Sequence, residues 1–404
     1  MKVAQINIVG KGSTGNIMLN IANILRMNGN NAKTFSAKLY IKKQKHLPAP
    51  PEGHSYFGSR FENMIHIILG RITGINGMFS YFGTRKLIAE LKQFKPDVIH
   101  LHNLHTFCIN LPMLFGYIKK EKIPVVWTLH DCWSFTGHCA HFVMAKCDKW
   151  KTECHKCPQL ANDNKFHVDN TRTAYRLKKK WFCGVENMTL VTPSRWLAEL
   201  AKASFLSGYP IEVINNGINL SVFKPVESDF RTRNDLEGKR IVLGVVGSWS
   251  KGKGVDVFVE LAKRLDDDYR VVVVGASTSL ESDNERLIII PRTANQQELA
   301  EIYSTADVFV NPTREDTFPT VNIEALACGT PLVTFRTGGS PEIIDETCGS
   351  VVEVDDVDAL EKEIIRVCSD APFSREACLK RAEGYDMYER FGDYISLYER
   401  ITSR

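Results

Sequence analysis

The sequence contains no run of 18 apolar residues, the length that a bilayer-spanning helix needs. Its first residues, MKVAQINIVG, read as a core strand and lack the apolar h-region and small-residue cleavage site of a secretion signal. Eleven cysteines, an odd number, in a chain without such a signal argue against a disulfide framework. They point to a reducing cytosol with free or metal-bound thiols. No tandem repeat or low-complexity tract is visible. Disorder is disfavoured too, because 44% hydrophobic and 24% charged residues are ordinary globular values. With 404 residues the chain is too long for one core and predicts two or three domains.

The net charge of +4 hides an asymmetry. Residues 1–225 carry 30 Lys+Arg against 13 Asp+Glu, or +17, and residues 226–404 carry 21 against 34, or −13. Either a polyanion meets only the first half, or the surfaces of two domains differ in charge with no partner involved. An anionic membrane face is the partner that the first reading names, rather than nucleic acid.

Short β-branched runs alternate with helical patterns along the whole chain. VAQINIV (3–9), PDVIHLH (96–102), PVVWTLH (124–130), MTLVTP (188–193) and IEVINNG (211–217) read as buried parallel strands. The scheme restarts with RIVLGVVG (240–247), YRVVVVG (269–275), RLIIIP (286–291), ADVFVNP (306–312) and TPLVTF (330–335). Two such runs predict an α/β chain of two doubly wound sheets. The expected division is 1–225, with a Cys-rich insertion near 132–160, then 226–385, then a terminal helix over 386–404 that packs back on the first domain. The polar stretch around Phe223–Leu236 breaks both periods at the boundary.

In open α/β sheets ligands bind beyond the carboxyl ends of the strands, so the loops there are the place to look for chemistry. TREDTFPTVNIEALACGTP (313–331) follows a strand directly. It sets Asp316 and Glu324 eight residues apart across a loop and a helix start near Thr320–Asn322, where free N–H groups can bind an anion. The same acids could equally be solvated or capping groups. GSWSKGKG (247–254) puts Lys251 and Lys253 between a strand and a helix, where ammonium groups can neutralise a diphosphate. KGSTG (11–15) lacks the full G-x-G-x-x-G, and no acid follows the next strand region, which argues against a dinucleotide fold. His130 ends a strand and precedes Asp131; His100, His102 and His105 cluster after another. A histidine at such a strand end is a candidate acid, base or hydrogen-bond donor, although a lone one is more often structural.

Asp316-x7-Glu324, then EALACGTP (324–331) and GGSPE (338–342), resembles the family 4 retaining glycosyltransferases over nearly the whole chain. The resemblance implies a GT-B fold, two Rossmann-like domains facing across a cleft. It implies transfer of a hexose-type sugar from a UDP or GDP donor to a lipid-linked glycan acceptor in surface polysaccharide biosynthesis. Catalytic roles fall to His130, Asp316 and Glu324. The donor side takes Gly12, Gly15, Ser248, Lys251, Lys253, Glu315, Phe318, Pro319, Thr320 and Val321 besides Glu324; the acceptor side takes Asn103 and His105. Two departures stand out: the family has Glu where Asp316 stands and Gly-Phe-Gly where Thr317–Pro319 stand, and its Arg after the strand is replaced by Ser248 and Trp249. No catalytic metal is implied. A sugar-nucleotide epimerase on the same architecture, or a non-catalytic metal-binding protein centred on the cysteines, are the rival readings.

Two further expectations concern the first half. Cys139, Cys147, Cys154 and Cys157 are spaced as a candidate structural Zn²⁺ site, with His138, His141 or His155 able to replace one thiolate. MIHIILGRITGINGMFSYF (64–82), with Lys42, Lys43, Lys45 and Lys178–Lys180, reads either as an interfacial helix interrupted by Gly70, Gly74 and Gly77 or as a core element. The first alternative makes the protein peripheral at the inner face of the plasma membrane.

Overall fold

The computed structural model describes residues 1–39, 50–160, 165–247, 249–275 and 284–403. The chain divides into two compact units, Met1–Ile214 with Phe391–Arg404, and Asn215–Arg390. The division thus falls earlier than the polar stretch at 223–236, because Ile218 already pairs with Asp386 inside the second unit.

The first unit is built on a parallel sheet of seven strands: β1 (Lys2–Ile6), β2 (Asn31–Ala37), β3 (His54–Phe57), β4 (Val98–Leu101), β5 (Val125–Thr128), β6 (Met188–Thr192) and β7 (Ile211–Val213). Their order is β3-β2-β1-β4-β5-β6-β7. Val3 sits between Ala32 and Val98 in register. The central strands β4, β5 and β6 are buried along their whole length, which is why they read as continuous apolar runs without alternation. Trp127 anchors this core, with the Phe115 and Phe182 rings 5.6 and 4.8 Å away.

The second unit repeats the plan with β8 (Arg240–Val245), β9 (Tyr269–Val274), β10 (Leu287–Ile290), β11 (Val308–Asn311), β12 (Leu332–Phe335) and β13 (Gly349–Val352). The order is β10-β9-β8-β11-β12-β13, again all parallel. Chain order reverses between β1 and β4 in one sheet and between β8 and β11 in the other. Ligands of doubly wound folds bind at such switch points.

The terminal helix Met387–Thr402 joins the first unit from Phe391 onward. Tyr394 OH lies 3.0 Å from Thr128 Oγ1, and Tyr398 OH lies 2.6 Å from His100 Nδ1. Tyr394 and Leu397 are buried here while Ile395 is only half-buried, a shift of the apolar face from the Met387, Phe391, Ile395, Tyr398 pattern.

Candidate active site

In the second unit, β8 leads into a tight turn, Lys251–Lys253, and then a helix, Val255–Arg264. Gly254 joins them at φ +70°, packed so closely on the Pro312 carbonyl that no side chain fits. This contact fixes the lysine turn against the loop after β11. Thr313 Oγ1 and the Arg314 N–H both donate to the Gly252 carbonyl, at 3.1 and 2.8 Å. Arg314 then grips both Asp256 oxygens, at 2.7 and 2.9 Å, and donates to the Lys251 carbonyl. The result places Lys253 Nζ 2.6 Å from Asp316 Oδ2. Asp316 Oδ1 accepts the Phe318 N–H at 3.2 Å.

The helix Thr320–Ala327 starts directly after this loop. Pro319 at its cap position gives it no side-chain cap, and no acid lies in its first turn. Helices of the same unit that start at Gln296, Val357 and Arg375 are each capped by a side chain. An uncapped start with outward N–H groups favours an anion. Glu324 stands one turn in, its Oε2 accepting from Tyr303 OH at 3.1 Å. Burial pushes the Glu324 carboxyl up to about 7, and the hydrogen bonds of Tyr303 and Thr320 only partly oppose it. Phe318 is a core residue, packed 5.9 Å from the Tyr385 ring, so only its main chain faces the site.

A cavity of about 410 Å³ opens over the carboxyl ends of β8, β9 and β10. Gly247, Gly275, Arg292, Asn295 and Val321 are among its walls. Of these, Gly247 opens the GSWSKGKG segment and Val321 is singled out by the sequence; Arg292 and Asn295 come from a loop that carries no motif.

In the first unit the histidines form a buried chain across β1, β4 and β5. His102 Nε2 lies 3.0 Å from Gln5 Oε1, and His102 Nδ1 lies 3.0 Å from His130 Nε2. One ring proton on each imidazole is enough to link Gln5, His102 and His130 in a continuous chain of hydrogen bonds. Burial drives the His130 imidazole down to about 4, despite the opposing pull of Asp131. His100 and His102 are held well below the usual histidine range, first of all by burial. All three are therefore neutral donors and acceptors near pH 7.

His105 Nε2 lies 3.1 Å from Asp131 Oδ2. Burial alone would raise the Asp131 carboxyl; the charge and hydrogen bond of His105 bring it down to about 2. The loop after β4, which carries His105, contains two consecutive non-glycine residues in the left-handed region, Thr106 at φ +78° and Phe107 at φ +56°. Such strain persists only where the surroundings hold it. Here Asn63 Nδ2 donates to the Phe107 carbonyl at 2.9 Å and the Phe107 N–H donates to Asn76 Oδ1 at 3.2 Å. Asn103 lies at the start of this loop, its carbonyl accepting the Ile8 N–H.

Two family profiles together account for most of the chain. Residues 60–222 match Glycosyltransferase Family 4, and residues 226–384 match Glycosyl transferases group 1. The chain belongs to the family 4 glycosyltransferases with the GT-B fold.

This glycosyltransferase is 24% identical over 318 residues to the Escherichia coli K12 protein WcaC, named for colanic acid biosynthesis, spanning 76% of the chain and 77% of WcaC. It is 29% identical over 213 residues to a D-inositol 3-phosphate glycosyltransferase of Mycobacteroides abscessus, covering 48% and 47% of the two chains. Its fold matches sucrose-phosphate synthase of Thermosynechococcus elongatus with a TM-score of 0.70 at 18% identity, over 100% and 99% of the chains. It also matches HepE of Anabaena in complex with UDP-glucose, with a TM-score of 0.65 at 14% identity, over 98% and 99%.

Some residues of the glycosyltransferase stand where the sequence places them and others do not. Ser248 lies outside the described residues. Gly12 precedes the helix Ser13–Met27 at φ +81° and Gly15 packs against the Gly10 backbone, leaving that helix start uncapped as well. Lys178 is not part of a basic surface: it is buried, and its ammonium donates to the carbonyls of Trp133 and Thr136 at 2.7 and 3.1 Å. Gly70 does not interrupt the helix Arg60–Thr73; it seats the Phe107 ring, and Gly74 at φ +69° ends the helix. Of the four expected thiolates, Cys139 and Cys157 meet, with His138 as the third donor. Cys147 and Cys154 line the same cavity without joining that trio.

Proposed function

We propose that the glycosyltransferase moves a hexose-type sugar from a UDP- or GDP-linked donor to a lipid-linked glycan with retention of anomeric configuration, in surface polysaccharide biosynthesis. The observation that carries this reading is the grouping in the second unit of Lys253, Asp316, Glu324 and the uncapped start of Thr320–Ala327. Lys253 and the free N–H groups suit a diphosphate, and Glu324 suits paired ribose hydroxyls. The cavity bounded by Arg292, Asn295 and Gly275 has room for a base. Asp316 suits hydroxyls of the sugar, with Glu315 beside it. The names of the UDP-glucose and UDP complexes among the fold neighbours support a nucleotide-sugar donor.

In the retaining reaction the diphosphate leaves from the face on which the acceptor hydroxyl arrives. Negative charge grows on the phosphate, and fixed cationic and N–H groups stabilise it most. The departing phosphate takes the acceptor proton, so no separate base and no catalytic metal are needed. Neutral His130 contributes a hydrogen bond to a sugar hydroxyl, and Asn103 and His105 serve the acceptor side.

The lipid side of the reading rests on an exposed apolar stripe. Phe61, Ile68 and Ile72 on the helix Arg60–Thr73 are 68, 51 and 57% exposed, and Phe82 on the next helix is 75% exposed. A membrane interface covers such a stripe, and the +17 half draws it to anionic lipid. Lys42, Lys43 and Lys45 lie outside the described residues. Among the described residues no helix is long and apolar enough to cross a membrane.

A panel of radiolabelled nucleotide sugars, each with and without lipid-linked saccharide, tests the proposal. Label in the lipid fraction from a UDP or GDP donor supports it. Release of an epimerised sugar nucleotide without transfer supports the epimerase instead.

A further inference from the structure

Between β5 and the helix Thr171–Phe182 lie some forty residues. Among the described residues this segment forms only two short 3-10 turns, Trp133–Phe135 and Lys149–Lys151. Irregular segments of that length are uncommon in compact domains unless something holds them together. Aromatic packing supplies part of the answer, since Trp150 is buried between Phe135 and Phe142 at 5.2 and 4.9 Å. Lys178 adds an anchor at the near end, through the Trp133 and Thr136 carbonyls.

The far end converges on sulfur and nitrogen. Cys139 Sγ lies 3.9 Å from Cys157 Sγ and 3.9 Å from His138 Nε2, and His138 Nε2 lies 3.1 Å from Cys157 Sγ. The two sulfurs are far beyond the roughly 2.05 Å of a disulfide bond. A tetrahedral Zn²⁺ with Zn–S near 2.3 Å and Zn–N near 2.05 Å sets its ligands roughly 3.6–3.8 Å apart, close to two of the observed edges. Cys147 and Cys154 line the same cavity, which has about 20 Å³ of free space, enough for one small species. The Gly137 N–H points at Cys154 Sγ from 3.2 Å and the Gln159 N–H at Cys157 Sγ from 3.4 Å, the kind of donors that stabilise thiolate ligands.

We propose that His138, Cys139 and Cys157 bind a structural Zn²⁺, closed by a third thiolate from Cys147 or Cys154. The ion adds a crosslink to a segment that has a small aromatic core and little regular structure. Its position ties it to the first unit's polar groups. Thr136 Oγ1 donates to the Cys139 carbonyl at 2.6 Å, and the Cys132 N–H donates to the Ala140 carbonyl at 2.9 Å. The next turn supplies the Trp133 N–H to Asp131 Oδ1 at 2.8 Å, so the metal end braces the loop that presents Asp131 to His105.

The test is the metal content of the full chain, purified without a metal-binding tag and under reducing conditions. One equivalent of zinc is expected, retained in Cys183→Ser, a cysteine outside the cluster, and lost in Cys139→Ser, Cys157→Ser and His138→Ala. His138→Cys keeps a competent ligand and is expected to keep the metal, which separates ligation from a general need for a folded loop. Cobalt put in place of zinc should show thiolate-to-metal charge transfer that is absent in the Cys157→Ser variant. Substoichiometric metal with all four thiols of the segment reactive in the native protein, a Cys139–Cys157 disulfide in its place, or unchanged zinc in the three loss variants would each overturn the assignment.

Discussion

Lys253 Nζ sits 2.6 Å from Asp316 Oδ2, so the cation suited to the diphosphate and the acid suited to the sugar are partners of each other. Their side chains are 34% and 20% exposed. Ion pairs that keep such contact with solvent contribute about 0–1 kcal/mol to stability. The pairing therefore matters for placing the two groups, and a donor molecule must share or displace it.

Lys253→Ala is expected to lower kcat/KM about ten- to a hundredfold, the value of a charge-assisted contact to a bound ligand, with unfolding free energy nearly unchanged. Asp316→Asn frees the ammonium and should also reduce turnover. Because the two groups touch, the double variant should lose less than the product of the single losses. Steady-state kinetics on the four proteins of this cycle decide; strictly multiplicative losses would argue that the pair does not act together.

Glu324 makes donor binding depend on pH. Ribose hydroxyls donate to the ionised carboxylate, whereas in the free protein burial holds the carboxyl up at about 7. Binding should therefore release a proton near neutral pH, and affinity should fall as pH drops below 7. Calorimetry in buffers of different ionisation enthalpy reads the proton directly. Glu324→Gln should abolish that release along with most of the affinity.

The buried imidazoles give the first unit an acid-sensitive stability. His130 is neutral in the folded protein down to about 4 but titrates near 6.5 when unfolded. The unfolded state thus binds more protons between those values, and stability falls as pH drops from about 6.5 toward 4. His130 alone accounts for on the order of 3 kcal/mol, and His66, pushed by burial down to about 3, acts in the same direction. Five of the six tryptophans lie in the first unit, so fluorescence follows it. Urea midpoints that do not move between pH 7 and 5 would contradict this picture.

Phe82→Asp and Ile68→Asp should weaken flotation with anionic vesicles at low salt by roughly tenfold each, the value of withdrawing one large apolar side chain. Both side chains are exposed, so thermal stability should stay within about 0.5 kcal/mol of the parent. No flotation of the parent protein would remove the membrane from the account.

The two-sheet plan was legible because a strand buried on both faces leaves an unbroken apolar run, as at Val125–Thr128 and Val308–Asn311. The short strands His54–Phe57 and Gly349–Val352 escaped it. They are four-residue sheet edges and partly exposed, too short and too mixed to leave an apolar run. The helix start at Thr320 and the acids Asp316 and Glu324 were readable from their motif. What Lys178 does was not: a basic run looks the same whether it is solvated or, as here, one member turns inward to bind two carbonyls. Gln5 and Arg292 were equally silent, since each gains its place from pairing across the sheet or folding of a loop.

The central claim is that this chain transfers a sugar from a nucleotide donor with retention, using Lys253 and Glu324 to hold that donor. Its most direct test is the anomeric proton spectrum of the first product formed from a donor the protein has been shown to use. The account predicts a new glycosidic linkage with the donor's own anomeric configuration, formed at least tenfold more slowly by Lys253→Ala and Glu324→Ala. An inverted linkage, or parental rates in both variants, would contradict it.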